Sequence, residues 1–289
     1  MHVVDMRKGQ ESNMEIELDK DQAQQVLLEM MDRLIEYFDK HNLRYYMVGG
    51  TLLGAVRHQG FIPWDDDVDL GMPRPDYERF LDLVKTEPIA PELKVLSGRD
   101  KTLSMPHCEV INTDTRVEKE TAEYIREDCL VNHLFIDIMP QDGWPSDDEA
   151  ARKLDKKMTR YRYLIQNGRA RLGKGTTLVR ALMKAPLILY MRIVGVNRII
   201  DKMEAIAKQY DYDKSDYVGA ITMGIYGPGE RCLRSEVAQT EHISFEGRSI
   251  CAPGGKEKYL SQIFGDYMQL PPENQRKDHR MTVWIKSDI

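Results

Sequence analysis

Four aspartates fall within five positions in Trp64-Asp65-Asp66-Asp67-Val68-Asp69-Leu70, and apolar residues bracket them. If the run is extended, a period of two puts Asp65, Asp67 and Asp69 on one face and Asp66 on the other. Like charges on one strand face repel, and aspartate is disfavoured in strands, so such a run costs stability unless a cation neutralises it. Hard oxygen ligands point to Mg²⁺ or Mn²⁺. A solvated acidic loop is the plain alternative, but Val68, Leu70 and Met72 read as buried and favour a strand.

Just upstream, the apolar run Tyr45 to Val48 stops at Gly49-Gly50-Thr51, and Leu52 to Arg57 has the composition of an opening helix. The pattern is strand, glycine turn, helix start. Adjacent glycines let backbone approach a ligand closely, and the N–H groups of a helix N-terminus suit a phosphate. A third element, Leu134-Phe135-Ile136-Asp137-Ile138-Met139, carries one carboxylate in an apolar strand-like run. A buried aspartate of this kind is expensive unless paired or metal-bound, or unless it merely ends the strand. Together these elements form a phosphoryl-transfer layout.

Gly49-Gly50-Thr51-Leu52-Leu53-Gly54, Arg57-His58, Gly60 to Asp69 and Ile136-Asp137-Ile138-Met139-Pro140 resemble the LicD family of phosphorylcholine transferases, a pattern shared with fukutin-related proteins. The likeness covers about Tyr45 to Gly143 and resumes at Tyr259 to Pro272, in YLSQIFGDYMQLPP. It implies an α/β (α+β) nucleotidyltransferase-like fold, a mixed sheet flanked by helices. The implied reaction is metal-dependent transfer of a phosphorylated alcohol, phosphorylcholine from CDP-choline foremost, to a hydroxyl of a cell-surface glycan or teichoic-acid precursor, releasing CMP. On that reading Asp67 and Asp69 hold the metal with support from Asp65. Asp137 joins them or takes the proton of the acceptor hydroxyl. Gly49, Gly50 and Thr51 cradle phosphate, and Arg57 or His58 neutralises one of its oxygens. The same aspartates would serve a nucleotidyltransferase that releases pyrophosphate. A non-catalytic glycan-binding protein is the third reading, and the intact aspartate set argues against it.

Asp19 or Asp21 is placed to cap a helix running to Asp39, with Val26, Leu27, Met30, Leu34 and Tyr37 or Phe38 on its buried stripe. Asp76 is placed to cap a second helix that carries Tyr77, Phe80, Leu81 and Val84. Leu93 to Leu96 and Cys108 to Ile111 read as strands. Helical composition follows over Asp147 to Gly168 and Thr176 to Tyr210, with Pro186 expected to kink or divide the latter. Ile243 to Phe245 and Ser249 to Cys251 read as a hairpin, and Lys256 to Phe264 as a helix. The polar first residues, to about Met14, suggest no fixed element, and His279 and Arg280 lie in a polar tail that can reach a phosphate. The organisation expected is a catalytic core over 15–145, a basic helical accessory region over 146–215, and a C-terminal part over 216–289 that completes the catalytic domain.

The accessory region is distinctive in charge. No acidic residue lies between Asp155 and Asp201, and eleven lysines and arginines do, in a chain whose net charge is −6. Interleaved with Leu178, Leu182, Met183, Leu187 to Met191, the cations suit an anionic membrane surface or a phosphate-bearing acceptor. Arg180, Lys184, Arg192 and Arg198 are the contact residues expected within 156–200, which would bring the enzyme to a lipid-linked acceptor. No nucleic-acid-binding motif accompanies the charge. The N-terminus lacks the apolar core of a signal peptide, no run suffices to span a bilayer, and four scattered cysteines without C-x-x-C spacing suggest reduced thiols. The expected location is cytoplasmic and peripheral at the inner face of the membrane.

Overall fold

The computed structural model describes residues 15–174, 177–276 and 281–286. The expectations for residues 1–14 and for His279 and Arg280 lie outside them. In chain order the elements are β1 (Glu15–Leu18), α1 (Lys20–Lys40), β2 (Tyr46–Met47), α2 (Gly49–His58), β3 (Asp69–Pro73), α3 (Arg74–Leu83), β4 (Leu93–Ser97), β5 (Cys108–Asn112), β6 (Thr115–Lys119) and β7 (Leu134–Trp144). There follow α4 (Asp148–Arg169), α5 (Leu178–Val194), α6 (Val196–Ala207), β8 (Tyr217–Ala220), β9 (Cys232–Leu233), α7 (Arg234–Val237), β10 (Glu241–Phe245), β11 (Arg248–Ala252), α8 (Lys256–Phe264) and β12 (Met281–Lys286). Mixed sheet and flanking helices make this an α/β fold.

Asp19 starts α1 through a reciprocal cap: its Oδ1 accepts from the Gln22 N–H at 2.9 Å, and Gln22 Oε1 accepts from the Asp19 N–H at 2.9 Å. The helix then buries Leu27, Met30, Leu34, Tyr37 and Phe38 in the core that covers the main sheet. That sheet runs β2-β3-β7-β5-β4, with β8 added to the far half of β7 and β9 to β8. β3 and β7 are parallel, while β5 lies antiparallel on the other side of β7. A small sheet, β1-β12-β6, and the hairpin β10-β11 complete the strands.

Helices α4, α5 and α6 share a second core with Trp144 and Ile221. A buried ion cluster ties it to the sheet. Arg74 at the start of α3 reaches Asp142 on β7 with Nε to Oδ1 at 2.7 Å and Nη2 to Oδ2 at 2.9 Å, and Glu204 on α6 with Nη1 to Oε2 at 2.7 Å. The four cysteines are buried and free.

Three local expectations change. The acidic run is not extended throughout: the Asp65 N–H donates to the Ile62 carbonyl at 2.8 Å, closing a turn after Pro63, and the strand begins only at Asp69. Aspartate's own aversion to strands wins until Leu70 and Met72 are reached. The helix after Thr177 runs unbroken through Pro186 and ends at Gly195, whose φ of +83° lies in the left-handed region that glycine tolerates. Likewise α3 begins at Arg74 with Pro75 in its first turn, so Asp76 lies inside the helix and binds Arg44 Nε at 2.7 Å.

Candidate active site

Register sets the floor of the site. Asp69 on β3 pairs with Asp137 on β7, and Asp137 pairs with Glu109 on β5, so three carboxylates form one row across adjacent strands. Residues directly opposite in a ladder share a face, and no loop has to bring these together. Asp65 and Asp67 approach from the turn before β3. Burial first, and then the charges of Asp67, Asp137 and Asp65, push the Asp69 carboxyl well above the usual range, with His107 pulling the other way. Asp65, Asp67, Asp69, Asp137 and Glu109 thus concentrate negative charge at one place, with His107 set among them.

The glycine turn lies against this floor. Gly49 has φ +54°, and a Cβ added to it would lie 3.2 Å from Asp69 Oδ2; one added to Gly50 would lie 3.0 Å from Asp65 Oδ2. A side chain at either position would press on a carboxylate, and at Gly49 the positive φ adds backbone strain. The Gly49 N–H donates to the Tyr259 hydroxyl at 3.3 Å, and that hydroxyl in turn donates to Glu230 Oε2 at 3.4 Å. This explains why a motif on α8, distant in sequence, accompanies the glycine turn.

Thr51 holds β3 through its side chain. Its side chain is buried, and Oγ1 accepts from the Asp69 N–H at 2.8 Å, so it positions the aspartate instead of facing the cleft. Arg57 lines a cavity of about 530 Å³ together with Gly50, and its Nη1 donates to the Tyr267 carbonyl at 2.8 Å. His58 accepts from Arg57 Nε at 2.9 Å. Burial and the neighbouring Arg57 lower its pKa below the ordinary 6.5, which makes it a neutral support for Arg57 near pH 7 and not a phosphate-neutralising cation.

Two cavities open here, one at the glycine turn and one at the carboxylates. The 530 Å³ cavity is walled by Trp64, Tyr226, Phe264 and Tyr267 as well as Gly50 and Arg57. A larger one, about 750 Å³, is lined by Asp67, Asp137, Glu109, Lys119, Arg169 and Arg276 among others. Arg276 also stacks over the Trp64 ring, 4.9 Å from its centroid, at the boundary between the two. Asp66 instead lines a third hollow with Lys20, Gln24 and Leu134.

His107 and Glu109 escaped the sequence reading. His107 Nε2 lies 3.1 Å from Asp137 Oδ1 and 3.7 Å from Glu109 Oε1. Burial works against the imidazolium, but Asp137 and Glu109 more than offset it and lift the His107 pKa to about 10. His107, Glu109 and Asp137 offer ligand atoms within 4.8 Å of one another. His107 Nδ1 and Glu109 Oε2 are buried with no hydrogen-bond partner among the described residues. Such orphaned buried groups mark a polar centre built for something beyond the fold. The signal that singled out Asp137, one carboxylate inside an apolar strand, is present also in Cys108-Glu109-Val110-Ile111.

Residues 42–161 match the family described as LicD/FKTN/FKRP, nucleotidyltransferase domain. The chain is 28% identical over 273 residues, 90% of its length and 95% of the relative's, to the lipopolysaccharide cholinephosphotransferase LicD of Haemophilus influenzae. Shorter matches are to an uncharacterised protein of Rickettsia typhi, 43% identical over 26% of this chain and 22% of the relative, and to the human ribitol 5-phosphate transferase FKRP, 63% identical over 10% of this chain and 6% of the relative. The family's domain over residues 42–161 and a likeness to LicD that runs nearly end to end both support the LicD family, and with it a phosphotransferase.

Proposed function

We propose that the protein transfers phosphorylcholine from CDP-choline to a hydroxyl of a cell-surface glycan precursor. The observation that carries this reading is the carboxylate row of Asp69 and Asp137, with a cationic cavity that Asp67 and Asp137 line and an aromatic cavity at the adjoining glycine turn. The near full-length similarity to a lipopolysaccharide cholinephosphotransferase supports it independently and makes a lipopolysaccharide-type glycan the first acceptor to test.

The donor takes the smaller cavity. Trp64, Tyr226, Phe264 and Tyr267 suit a quaternary ammonium or a stacked cytosine, and Arg57 with the Gly50 backbone suits the phosphates. The acceptor takes the larger cavity, where Lys119, Arg169 and Arg276 suit a phosphate-bearing glycan. The acceptor oxygen forms a bond to the phosphorus that bears choline, and the bond from that phosphorus to the bridging oxygen of CMP breaks. Asp137 accepts the hydroxyl proton, and its charge is shared between that duty and metal binding.

Asp67, Asp69 and Asp137, with Asp65 in support, fit Mg²⁺ or Mn²⁺: all are hard oxygen donors, and the upward push on Asp69, from burial first and then from Asp67, Asp137 and Asp65, is one a divalent cation would oppose. When bound, the ion offsets charge on the leaving diphosphate oxygen. We take 15–145 and 216–289 as one catalytic unit and 146–215 as an accessory to it, a division supported by β8 pairing directly with β7 and by the separate core of α4 to α6. The proposed place of work is the cytoplasmic face of a membrane that carries a lipid-linked acceptor.

The test is to offer a panel of CDP-choline, CDP-ethanolamine, CDP-ribitol and CDP-glycerol with Mg²⁺ and identify both products by mass spectrometry. CMP with a phosphorylcholine-modified glycan is expected. Pyrophosphate release would assign a nucleotidyltransferase instead, and turnover of another CDP-alcohol in preference to CDP-choline would overturn the choline assignment.

A further inference from the structure

α5 presents an apolar face to solvent. Val179, Leu182, Met183, Leu189, Tyr190 and Ile193 are exposed, with Leu182 at 65%, Met183 at 76% and Ile193 at 83%. The opposite face, Ala181, Ile188 and Met191, is buried toward the body of the protein. At 3.6 residues per turn the six exposed apolar side chains fall within about a third of the circumference, diametrically opposite the buried face. The helix therefore already has its core-facing stripe, and among the described residues the second stripe is left exposed. A contiguous exposed apolar patch of this kind marks an interaction surface.

We infer that α5 docks the protein on an anionic lipid surface by inserting this face between the headgroups. Charge selects the occupant. On the same helical projection Arg180 lies beyond one edge of the apolar stripe and Arg192 beyond the other, where long cationic side chains can reach up to phosphates while the stripe goes down, and Lys184 adds positive charge on the far side of the helix. α5 itself carries no acidic residue. A second copy of the chain would set the same cationic flanks against each other and is disfavoured. Tyr190, on the stripe, has the amphipathic ring that favours a membrane interface. Neither α5 nor any other helix of the described residues is long and apolar enough to cross a bilayer, so the contact is interfacial. Basic residues alone, as expected from the sequence, would give a purely electrostatic contact; the exposed stripe makes the apolar insertion the principal one. Arg198 lies beyond α5 on α6, outside the proposed contact.

The experiment uses the full chain with vesicles of phosphatidylcholine alone and of phosphatidylcholine mixed with phosphatidylglycerol, at low and high salt. Expected is sedimentation with the anionic vesicles, weakened but not abolished by salt. The variant Leu182→Ser/Met183→Ser/Ile193→Ser, unchanged in charge, should partition at least about tenfold more weakly. Arg180→Gln/Lys184→Gln/Arg192→Gln should lose the preference for anionic vesicles. In a Met183→Trp variant, tryptophan emission should shift to the blue on anionic vesicles and not in buffer. Far-UV circular dichroism shows that each variant keeps its helices, a result expected because the altered side chains face solvent. Vesicle binding by the serine variant equal to that of the parent would overturn the proposal. So would failure of the parent to bind, including the case in which the parent forms a dimer that the serine variant does not, which would give the face to a second copy. None of these readouts requires CDP-choline or turnover, so they stand or fall separately from the proposed reaction.

Discussion

Asp69 and Asp137 are direct register partners on adjacent parallel strands, which places two carboxylates side by side at the centre of the main sheet. Asp69 is forced to an unusually high pKa there, first by burial and then by Asp67, Asp137 and Asp65. The fold tolerates a repulsion that a hydrophobic replacement would remove, and this is the signature of a site that spends stability on function.

Asp69→Asn should therefore separate stability from activity. In the presence of a chelator the variant should melt above the parent, because it removes one charge from a repelling set; with Mg²⁺ present, turnover should fall by at least about a hundredfold. Asp67→Asn should lose activity similarly, whereas Asp66→Asn, whose side chain lines a different hollow, should keep most of it. A chelated Asp69→Asn protein that melts below the parent would contradict the electrostatic account.

Gly50→Ala tests how closely the glycine turn and the aspartates must approach. The added methyl would lie 3.0 Å from Asp65 Oδ2, a distance that obliges the carboxylate to shift. Folding should be little affected, since the side chain that must give way is on a turn. The expected outcome is a rise in the Mg²⁺ concentration needed for half-maximal rate, read from metal titrations of the steady-state rate, with the melting temperature nearly unchanged. An unaltered metal requirement would place Asp65 outside the functional set.

Asp142→Ala should be among the most damaging substitutions remote from the carboxylate row. Asp142 is fully buried and holds the Arg74 guanidinium in a two-pronged pair, and Glu204 on α6 holds it from the other side. Removing one partner from a buried cluster leaves charge without compensation, at a cost of about 3 kcal/mol. Urea denaturation measures it. A change within ~0.5 kcal/mol, as at an ordinary surface position, would show that Glu204 alone satisfies Arg74.

How much of this was legible in the sequence depended on whether the signal was local. α1 could be placed from its stripe and Asp19, because both cap and periodicity lie within one helix. The likeness to a known family placed the glycine turn, Asp69 and Asp137 in one site, and the fold brings all of them together. Grouping Asp65 and Asp67 with Asp69 on a strand face rested on the wrong geometry, since a turn at Ile62 to Asp65 brings them there. His107 and Glu109 join the site through the pairing of β5 with β7, which is fixed by contacts distant in sequence. The apolar face of α5 was hidden for a related reason: Leu182 and Ile188 look alike in sequence, and only packing against α4 and α6 decides which is buried.

Glu230 gives a prediction in pH. Its carboxyl is buried against Tyr259 and Tyr226, and burial pushes its pKa up from 4.5 to about 7. An acid whose pKa is raised by folding holds its proton more tightly in the folded state. Between 4.5 and about 7 the native protein therefore binds more protons than the unfolded chain, and stability falls as pH rises through that window. The full effect of one such group is about 3 kcal/mol, complete above the folded-state value and absent below the unfolded one. Glu230→Gln keeps the shape and cannot ionise. Urea denaturation at about pH 5 and about pH 8 should show the parent losing stability between the two and the variant losing less, with the variant the more stable at the higher pH. Because Tyr259 links Glu230 to the Gly49 N–H, ionisation of Glu230 also acts on the turn beside Asp69. Parallel pH profiles for parent and variant would mean that Glu230 is already ionised in the folded protein, and that the chain from Glu230 to Gly49 carries no pH dependence to the carboxylates.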